Sequence, residues 1–264
     1  MTGECRGGMS IIIKSEKELA AMREAGRITA DILRVLYEKV EPGMKTIELD
    51  AIAARELKKA GARSSFKGYQ GFPANVCVSI NDEIVHGIPG DRVIQDGDIV
   101  SIDFGVIYQG FQGDSAVTIP TGNASPEALK LIEATRQTLE RGIAAARAGA
   151  HLGDISAAIQ EYAESLGYSV VREYTGHGIG RQMHEDPQIP NCTEAPYGLR
   201  PGTGPVLKRG MTIAIEPMLN TGNWRTRVAA NKWTVLTADG SLSAHFEHTI
   251  AINGDEPEIL TRAA

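Results

Sequence analysis

The chain has 264 residues, of which 42% are apolar, enough to bury a substantial core in one large domain or two small ones. Its formal net charge is −6. Composition therefore gives no electrostatic reason to expect a nucleic acid or an anionic membrane surface as the main partner.

Targeting signals and cysteine usage favour a cytosolic protein. Residues 1–14 contain only a short isoleucine run, far below the roughly 7–15 apolar residues of a signal peptide, and no later run approaches the roughly 20 of a membrane helix. Cys5, Cys77 and Cys192 are odd in number and lack CxxC spacing, which favours a reducing compartment and argues against a cysteine zinc site. We expect residues 1–10 to be a flexible extension and residues 11–264 to form one catalytic domain.

The first predicted helices have clear start and stop signals. Ser15 and Glu18 have the spacing of a capping box, and the helix they begin extends to about Val40. A second helix is predicted over residues 46–60, ending at Gly61, where glycine tolerates a left-handed backbone.

The same order of signals returns in the second half of the chain. Ser125 followed by Pro126 begins a helix that we expect to reach about Ala148. In each half, a second segment with an apolar stripe lies between glycines eighteen residues apart: Gly43 and Gly61 in the first half, Gly149 and Gly167 in the second. The two halves match in the order and length of these segments and in the glycines that bound them, so we infer an internal duplication.

Strands are predicted where apolar residues alternate or β-branched residues cluster. These runs cover residues 75–80, 98–108, 111–119, 168–173, 211–216, 233–237 and 245–252. Helices and strands come in blocks, which predicts an α+β fold of two related halves with helices outside the sheets.

Two aspartates lie in the long predicted hairpin. A two-residue turn at Tyr108 and Gln109 would place Asp103 opposite Asp114. Like charges across a hairpin destabilise it, so the pair calls for a cation. The alternative is that Asp114 caps a surface turn; Asp103, within an apolar strand, is harder to explain without a partner or metal.

Three further residues could complete a metal site. His177 stands between glycines that leave its imidazole unobstructed, and Glu216 and Glu247 each lie in or directly after a strand. Taken singly, each is more often a structural, surface or ion-paired residue. Together with the aspartates they form a set of hard donors for divalent metal.

Other chemistries fit the sequence less well. The run from Gly176 to Arg181 lacks the third glycine and the βαβ context of a dinucleotide loop, and there is no P-loop or GxSxG elbow. Two metals sharing the donors above could activate a water and hold a free amine, which suits hydrolysis at a peptide N-terminus.

Six motifs together resemble those of type I methionine aminopeptidases. They are NDEIVHGIP (81–89), DIVSID (98–103), GFQGD (110–114), GHGIG (176–180), IEPM (215–218) and EHT (247–249). The match runs from about residue 11 to 255. The ligand order Asp, Asp, His, Glu, Glu is specific for the pita-bread metallohydrolase fold, whose two pseudo-symmetric halves agree with the duplication.

The resemblance implies removal of the initiator methionine from proteins and peptides with a small second residue, by a water activated between two metals. It implies that Asp103 holds one metal, that Asp114 and Glu247 bridge both, and that His177 and Glu216 complete the other. The donors would accept cobalt, manganese, iron(II) or zinc.

Three catalytic roles are also implied by the resemblance. Glu216 would handle the proton of the water, His86 would contact the substrate near its scissile amide, and His184 would hydrogen-bond the carbonyl oxygen.

The resemblance also implies a methionine pocket. Its apolar lining would come from Tyr69, Phe72, Cys77 and Trp233, and the alternative is that the aromatic residues belong to the ordinary core. Phe66 stands where many bacterial relatives have cysteine, and residues 191–205 form a longer loop than expected, which we expect to affect substrate access.

The expected partners are the N-termini of nascent polypeptides, with transient ribosome contact through a local patch. We expect no membrane association and no direct nucleic-acid binding, and we expect the protein to be a monomer. A proline-specific peptidase of the same fold would share every ligand, but such relatives usually carry an additional N-terminal domain. Creatinase-like enzymes and catalytically dead binding proteins should have lost ligands. The absence of a zinc-finger region and of a long helical insertion favours type I over type II.

Overall fold

Within the part of the chain that the structure describes, four α-helices pack on the outside of the sheets. The computed structural model describes residues 10–262, so the extension predicted for residues 1–10 lies outside the described residues apart from Ser10. The helices are α1 (Glu16–Lys39), α2 (Thr46–Ala60), α3 (Pro126–Ala145) and α4 (Leu152–Ser165). Among the described residues, no helix is long and apolar enough to cross a membrane.

The helix ends follow the local signals closely. The Ser15 hydroxyl accepts the Glu18 N–H in the predicted capping box, and Gly61 ends α2 with φ of 64°. Helix α3 is shorter than predicted, ending at Ala145 rather than near Ala148. The reason is tertiary, since the Ala148 N–H donates to the Gly254 carbonyl instead of continuing the helix.

In residues 10–262, fifteen strands form one large sheet and two small ones. The strands are β1 (Arg63–Ser64), β2 (Cys77–Ile80), β3 (Glu83–Val85), β4 (Ile99–Tyr108), β5 (Phe111–Pro120), β6 (Ser169–Val170), β7 (Gly176–Gly178), β8 (Glu185–Ile189), β9 (Thr212–Ile215), β10 (Met218–Asn220), β11 (Thr226–Val228), β12 (Val235–Thr237), β13 (Ser243–His245), β14 (Glu247–Ala251) and β15 (Glu258–Ile259). The large sheet has the order β1-β4-β5-β14-β9-β7-β8, with β2 added to β4 and β15 added to β14. The pairings are antiparallel, which confirms the predicted α+β class.

The two halves meet at the β5–β14 pair and are built alike. Helix α2 begins at a bridge between Lys45 and Val93, and helix α4 begins at a matching bridge between His151 and Val206. Each half also has its own core: α1 and α2 pack on β2 and β4, whereas α3 and α4 pack on β9. The structure thus agrees with the predicted duplication.

The register predicted for the long hairpin is wrong by two residues. Asp103 lies opposite Ala116 and Asp114 lies opposite Gly105, because the turn is centred on Gln109 and Gly110 instead of Tyr108 and Gln109. Both turn residues have positive φ, 50° for Gln109 and 80° for Gly110. Two-residue hairpin turns of this kind require a left-handed backbone at both central positions, which glycine accepts and a bulky tyrosine does not.

Candidate metal centre

Asp103 and Glu247 reach the same place from the two halves of the chain. Asp103 on β4 and Glu247 on β14 both lie opposite Ala116 of the intervening strand β5. Residues directly opposite one another in a sheet point to the same face. The two carboxylates therefore flank a small alanine side chain on one face of the sheet.

Asp114 is held on this face by an unusual strand junction. The Thr249 hydroxyl accepts the Asp114 N–H at 3.0 Å and donates to the Asp114 carbonyl at 2.9 Å, in place of direct backbone pairing. Gly105 lies opposite Asp114, and a Cβ there would be 3.2 Å from the Asp114 Oδ1. The absence of a side chain at Gly105 therefore leaves room for the carboxylate.

His177 and Glu216 complete the group from the second half. His177 on β7 pairs with Ala214 on β9, and Glu216 follows the end of β9. The His177 Nδ1–H donates to the Gly178 carbonyl at 2.9 Å, which leaves Nε2 as the nitrogen that faces the carboxylates. Nε2 lies 3.6 Å from the Glu216 Oε1 and 3.9 Å from the Asp114 Oδ2.

The donor set fits a metal ion. Ligand atoms of Asp114, His177 and Glu247 lie within 4.8 Å of one another. One carboxylate oxygen each of Asp103, Asp114 and Glu247 is buried without a hydrogen-bond partner among the described residues. Buried anionic oxygens without partners are costly, and a divalent cation with hard oxygen and imidazole ligands removes that cost.

The pKa values reflect the same crowding. Burial, reinforced by neighbouring carboxylates, raises the pKa of Asp103, Glu216 and Glu247 well above the ordinary range. Burial raises the pKa of Asp114 to about 7. Burial and the nearby His184 lower the pKa of His177 to about 3, which keeps its imidazole neutral and able to ligate a metal.

Two more histidines line the same cavity. His86 follows β3 with φ of 60°, a left-handed backbone that is uncommon for residues other than glycine, and its ring meets Tyr174 edge to face at 5.9 Å. Burial and His184 lower the pKa of His86 to about 4. The His184 ring lies 4.3 Å from that of His177, and burial lowers its pKa as well. Both rings therefore line the cavity in the neutral form.

An apolar slot adjoins the carboxylates within a cavity of about 280 Å³. Cys77 on β2 lies directly opposite Asp103, which brings the slot and the carboxylates together. Phe72 meets Trp233 edge to face at 5.2 Å, and Tyr69 lies at the side of the slot. Burial and nearby carboxylates raise the pKa of the Cys77 thiol well above its usual range, so it is an apolar lining group and not a thiolate nucleophile.

The cavity contains every residue predicted for the site and some that were not. Phe66, noted only as a departure, and Met183, which precedes His184, pack with Phe72 and Cys77. Nothing in the sequence pattern around Met183 marks it as a pocket residue. Among the described residues, none from 191–205 lines the cavity. The loop contacts α4 and Trp224, as in the contact of Tyr197 with Trp224 at 6.2 Å, and Asn191 at its start donates to the Glu216 carbonyl at 3.1 Å.

Comparisons with known proteins agree with this geometry. The family model "Metallopeptidase family M24" matches residues 20–254. The chain is 53% identical to "Methionine aminopeptidase 1" of Bacillus subtilis (strain 168) over 252 residues, which is 96% of this chain and 99% of that protein. The crystal structure of a methionine aminopeptidase from Thermotoga maritima superimposes with a TM-score of 0.92 at 45% identity, covering 96% of this chain and 100% of that one.

A prolidase provides a contrast. The prolidase from Pyrococcus furiosus superimposes with a TM-score of 0.77 at 23% identity, over 96% of this chain but only 66% of the prolidase. This likeness shows the fold alone.

Proposed function

The chain belongs to metallopeptidase family M24, and from this we propose that it is a methionyl aminopeptidase, which removes the initiator methionine from nascent proteins and peptides whose second residue is small. The observation that carries the proposal is the direct contact between the carboxylate cluster and the apolar slot, set by the pairing of Asp103 with Cys77. An unbranched thioether side chain suits a slot of aromatic and sulfur-containing side chains.

The site uses divalent metal, and we propose that it holds two ions. Asp103 would bind one, Asp114 and Glu247 would bind both, and His177 with Glu216 would complete the second. Cobalt, manganese, iron(II) and zinc all suit these donors. When bound, the metals polarise the scissile carbonyl and lower the pKa of the attacking water.

The chain's own residues supply the remaining steps. Glu216, whose pKa is raised by burial, suits a group that accepts a proton from the water and returns it to the leaving amine. His184 would donate a hydrogen bond to the carbonyl oxygen as negative charge develops there, and His86 would contact the substrate near the scissile amide. Tyr69, Phe72, Cys77 and Trp233 would hold the methionine side chain.

The substrate class also implies where the protein acts. Nascent polypeptides are its proposed partners, so we place it in the cytosol, as a monomer that contacts the ribosome only transiently. A bulky second residue would clash at the mouth of the slot, where the chain of the substrate must leave the cavity.

Hydrolysis of Met-Ala-Ser and Ala-Pro-Ala tests the proposal. Metal-free protein is reloaded separately with cobalt, manganese and iron, and released amino acids are measured. We expect release of methionine from the first peptide only. Asp103→Asn should lose this activity and Asp91→Asn should retain it, since the Asp91 side chain is 91% exposed and does not line the cavity. Cleavage of the proline peptide instead would assign the chain to proline-specific peptidases. Inactivity with every metal would favour a binding protein.

A further inference from the structure

A hydrogen bond crosses the cavity between its two walls. The Tyr69 hydroxyl lies 2.7 Å from the Nδ1 of His184, although the residues are 115 positions apart, and the two rings lie 5.3 Å apart. Tyr69 comes from the first half of the chain and His184 from the loop that precedes β8 in the second half. The contact therefore fixes one wall of the cavity against the other.

The position of this bond determines which ring nitrogen meets the substrate. Because Nδ1 faces Tyr69, Nε2 is the ring nitrogen left for the substrate, and among the described residues it has no hydrogen-bond partner. A neutral imidazole carries one proton, and the partner at one nitrogen selects the nitrogen that holds it. If the hydroxyl donates to Nδ1, the proton lies on Nε2, which can then donate to a carbonyl oxygen. The opposite tautomer would turn a lone pair towards that oxygen and repel the developing charge.

The backbone that carries Tyr69 is held in a strained shape. The short helix Tyr69–Gly71 is flanked by Gly68 with φ of 86° and ends at Gly71 with φ of 91°, and Gln70 between them has φ of 48°. A left-handed backbone is unfavourable for a residue with a side chain and persists where the surroundings enforce it. Hydrogen bonds from the Gly68 N–H to the Phe72 carbonyl and from the Phe72 N–H to the Tyr69 carbonyl close this turn, which aims the tyrosine into the cavity.

We propose that Tyr69 is a positioning residue, whose hydroxyl donates to the His184 Nδ1 and so holds the imidazole with its proton on Nε2, directed at the scissile carbonyl. This inference rests on the proposed function, because it takes His184 to be the donor to the carbonyl oxygen. It gives Tyr69 a role beyond lining the methionine slot. The two roles differ in kinetics, since a lining residue acts on substrate binding and a positioning residue acts on the chemical step.

Tyr69→Phe separates these roles because it keeps the ring and removes only the hydroxyl. We expect kcat on Met-Ala-Ser to fall about 10- to 100-fold, the usual effect of removing a group that orients a catalytic one, with KM changed less than about threefold. In a His184→Ala background, Tyr69→Phe should cause no further loss, since it acts through the missing imidazole. Tyr168→Phe, at a tyrosine that does not line the cavity, should leave both constants unchanged.

A raised KM with unchanged kcat, or losses from Tyr69→Phe and His184→Ala that multiply in the double variant, would leave Tyr69 as a slot-lining residue only.

A spectroscopic measurement of the His184 tautomer tests the role of Tyr69 independently of enzyme activity. In zinc-loaded protein labelled with ¹⁵N-histidine, the shifts of the two His184 nitrogens identify the protonated one. We expect Nε2–H in the wild type and a shift towards a mixture of tautomers in Tyr69→Phe. A wild-type proton on Nδ1 would overturn the inference. If the wild type releases no methionine, the proposed function fails, while the tautomer still reports on Tyr69.

Discussion

Replacing Lys14 by methionine removes one partner of a buried ion pair next to the loop that carries His184. The Lys14 Nζ lies 2.5 Å from the Glu185 Oε2, and each side chain is only 4% exposed. The other Glu185 oxygen accepts the backbone N–H groups of Arg181 and Gln182. Glu185 therefore cannot turn towards water without releasing the loop that carries His184, and the variant leaves its carboxylate buried without a cation.

The expected loss of stability is large for a single substitution. Removing one partner of a buried pair costs about 3–5 kcal/mol, because the remaining charge stays desolvated. At about 2–4 °C per kcal/mol for a chain of this size, the unfolding midpoint of Lys14→Met should fall by about 6–20 °C. Thermal unfolding followed by circular dichroism, with the same metal loading for every variant, measures the shift. We also expect a lower kcat, since the displaced loop carries His184.

A matched control and a second variant test the reasoning. Lys45→Met removes an exposed lysine that pairs with Asp91 at 2.8 Å, and it should shift the midpoint little because solvent screens that pair. Adding Glu185→Gln to Lys14→Met removes the unpaired charge and keeps an acceptor for the loop, so part of the stability should return. If Lys14→Met lowers the unfolding midpoint no more than Lys45→Met does, or if the double variant is less stable than Lys14→Met, the buried ion pair does not hold the loop.

Three further predictions concern the carboxylate cluster. Burial raises the pKa of Asp114 to about 7 from 3.8, so between these pH values the metal-free folded protein holds a proton that the unfolded chain lacks. The stability that this protonation contributes is fully present below about pH 4 and is lost as pH rises through about 7. Metal binding at pH 6 should therefore release at least one proton, seen by calorimetry in buffers of different ionisation enthalpy, and equal heats in both would refute this. Gly105→Ala places a Cβ 2.9 Å from the Phe66 ring and should cost about 1–3 kcal/mol in urea unfolding. Gly90→Ala should cost little, because a Cβ there meets only the Ile88 carbonyl oxygen, at 4.0 Å. Thr249→Val leaves the Asp114 N–H and carbonyl without their partner and should cost about 1–3 kcal/mol; an unchanged urea midpoint would contradict this.

The features that sequence predicts well here are the local ones. The capping box at Ser15 and the left-handed Gly61 depend on residues a few positions apart, so the helix ends they set are confirmed. The end of α3 depends on a hydrogen bond between Ala148 and Gly254, which no local pattern records. The hairpin register failed for a different reason: both candidate turns contain Gln109, and only the need for positive φ at two successive residues selects Gly110.

The composition of the site could be predicted, but its arrangement could not. Each of the five proposed ligands stands out as a polar residue in or next to an apolar strand, and the structure brings them into one cavity. That Asp103 faces Ala116, and that Glu247 reaches the same alanine from the other side, depends on β14 pairing with a strand more than a hundred residues away. The slot residue Met183 is set by the same long-range packing, with no signal of its own.

Two threonines bound the direct strand pairing at the place where the halves meet and the cluster lies. The Thr249 hydroxyl bridges the backbone N–H and carbonyl of Asp114, and the Thr118 hydroxyl bridges those of His245 in the same way. These junctions lie on either side of the pair formed by Ala116 and Glu247, so β5 and β14 are directly paired only between them. A hydroxyl that bridges two backbones takes the place of a direct backbone hydrogen bond between the strands. The carboxylates of both halves thus share one face at a short stretch of direct pairing, and this stretch is bounded by two residues that look like ordinary strand threonines in the sequence.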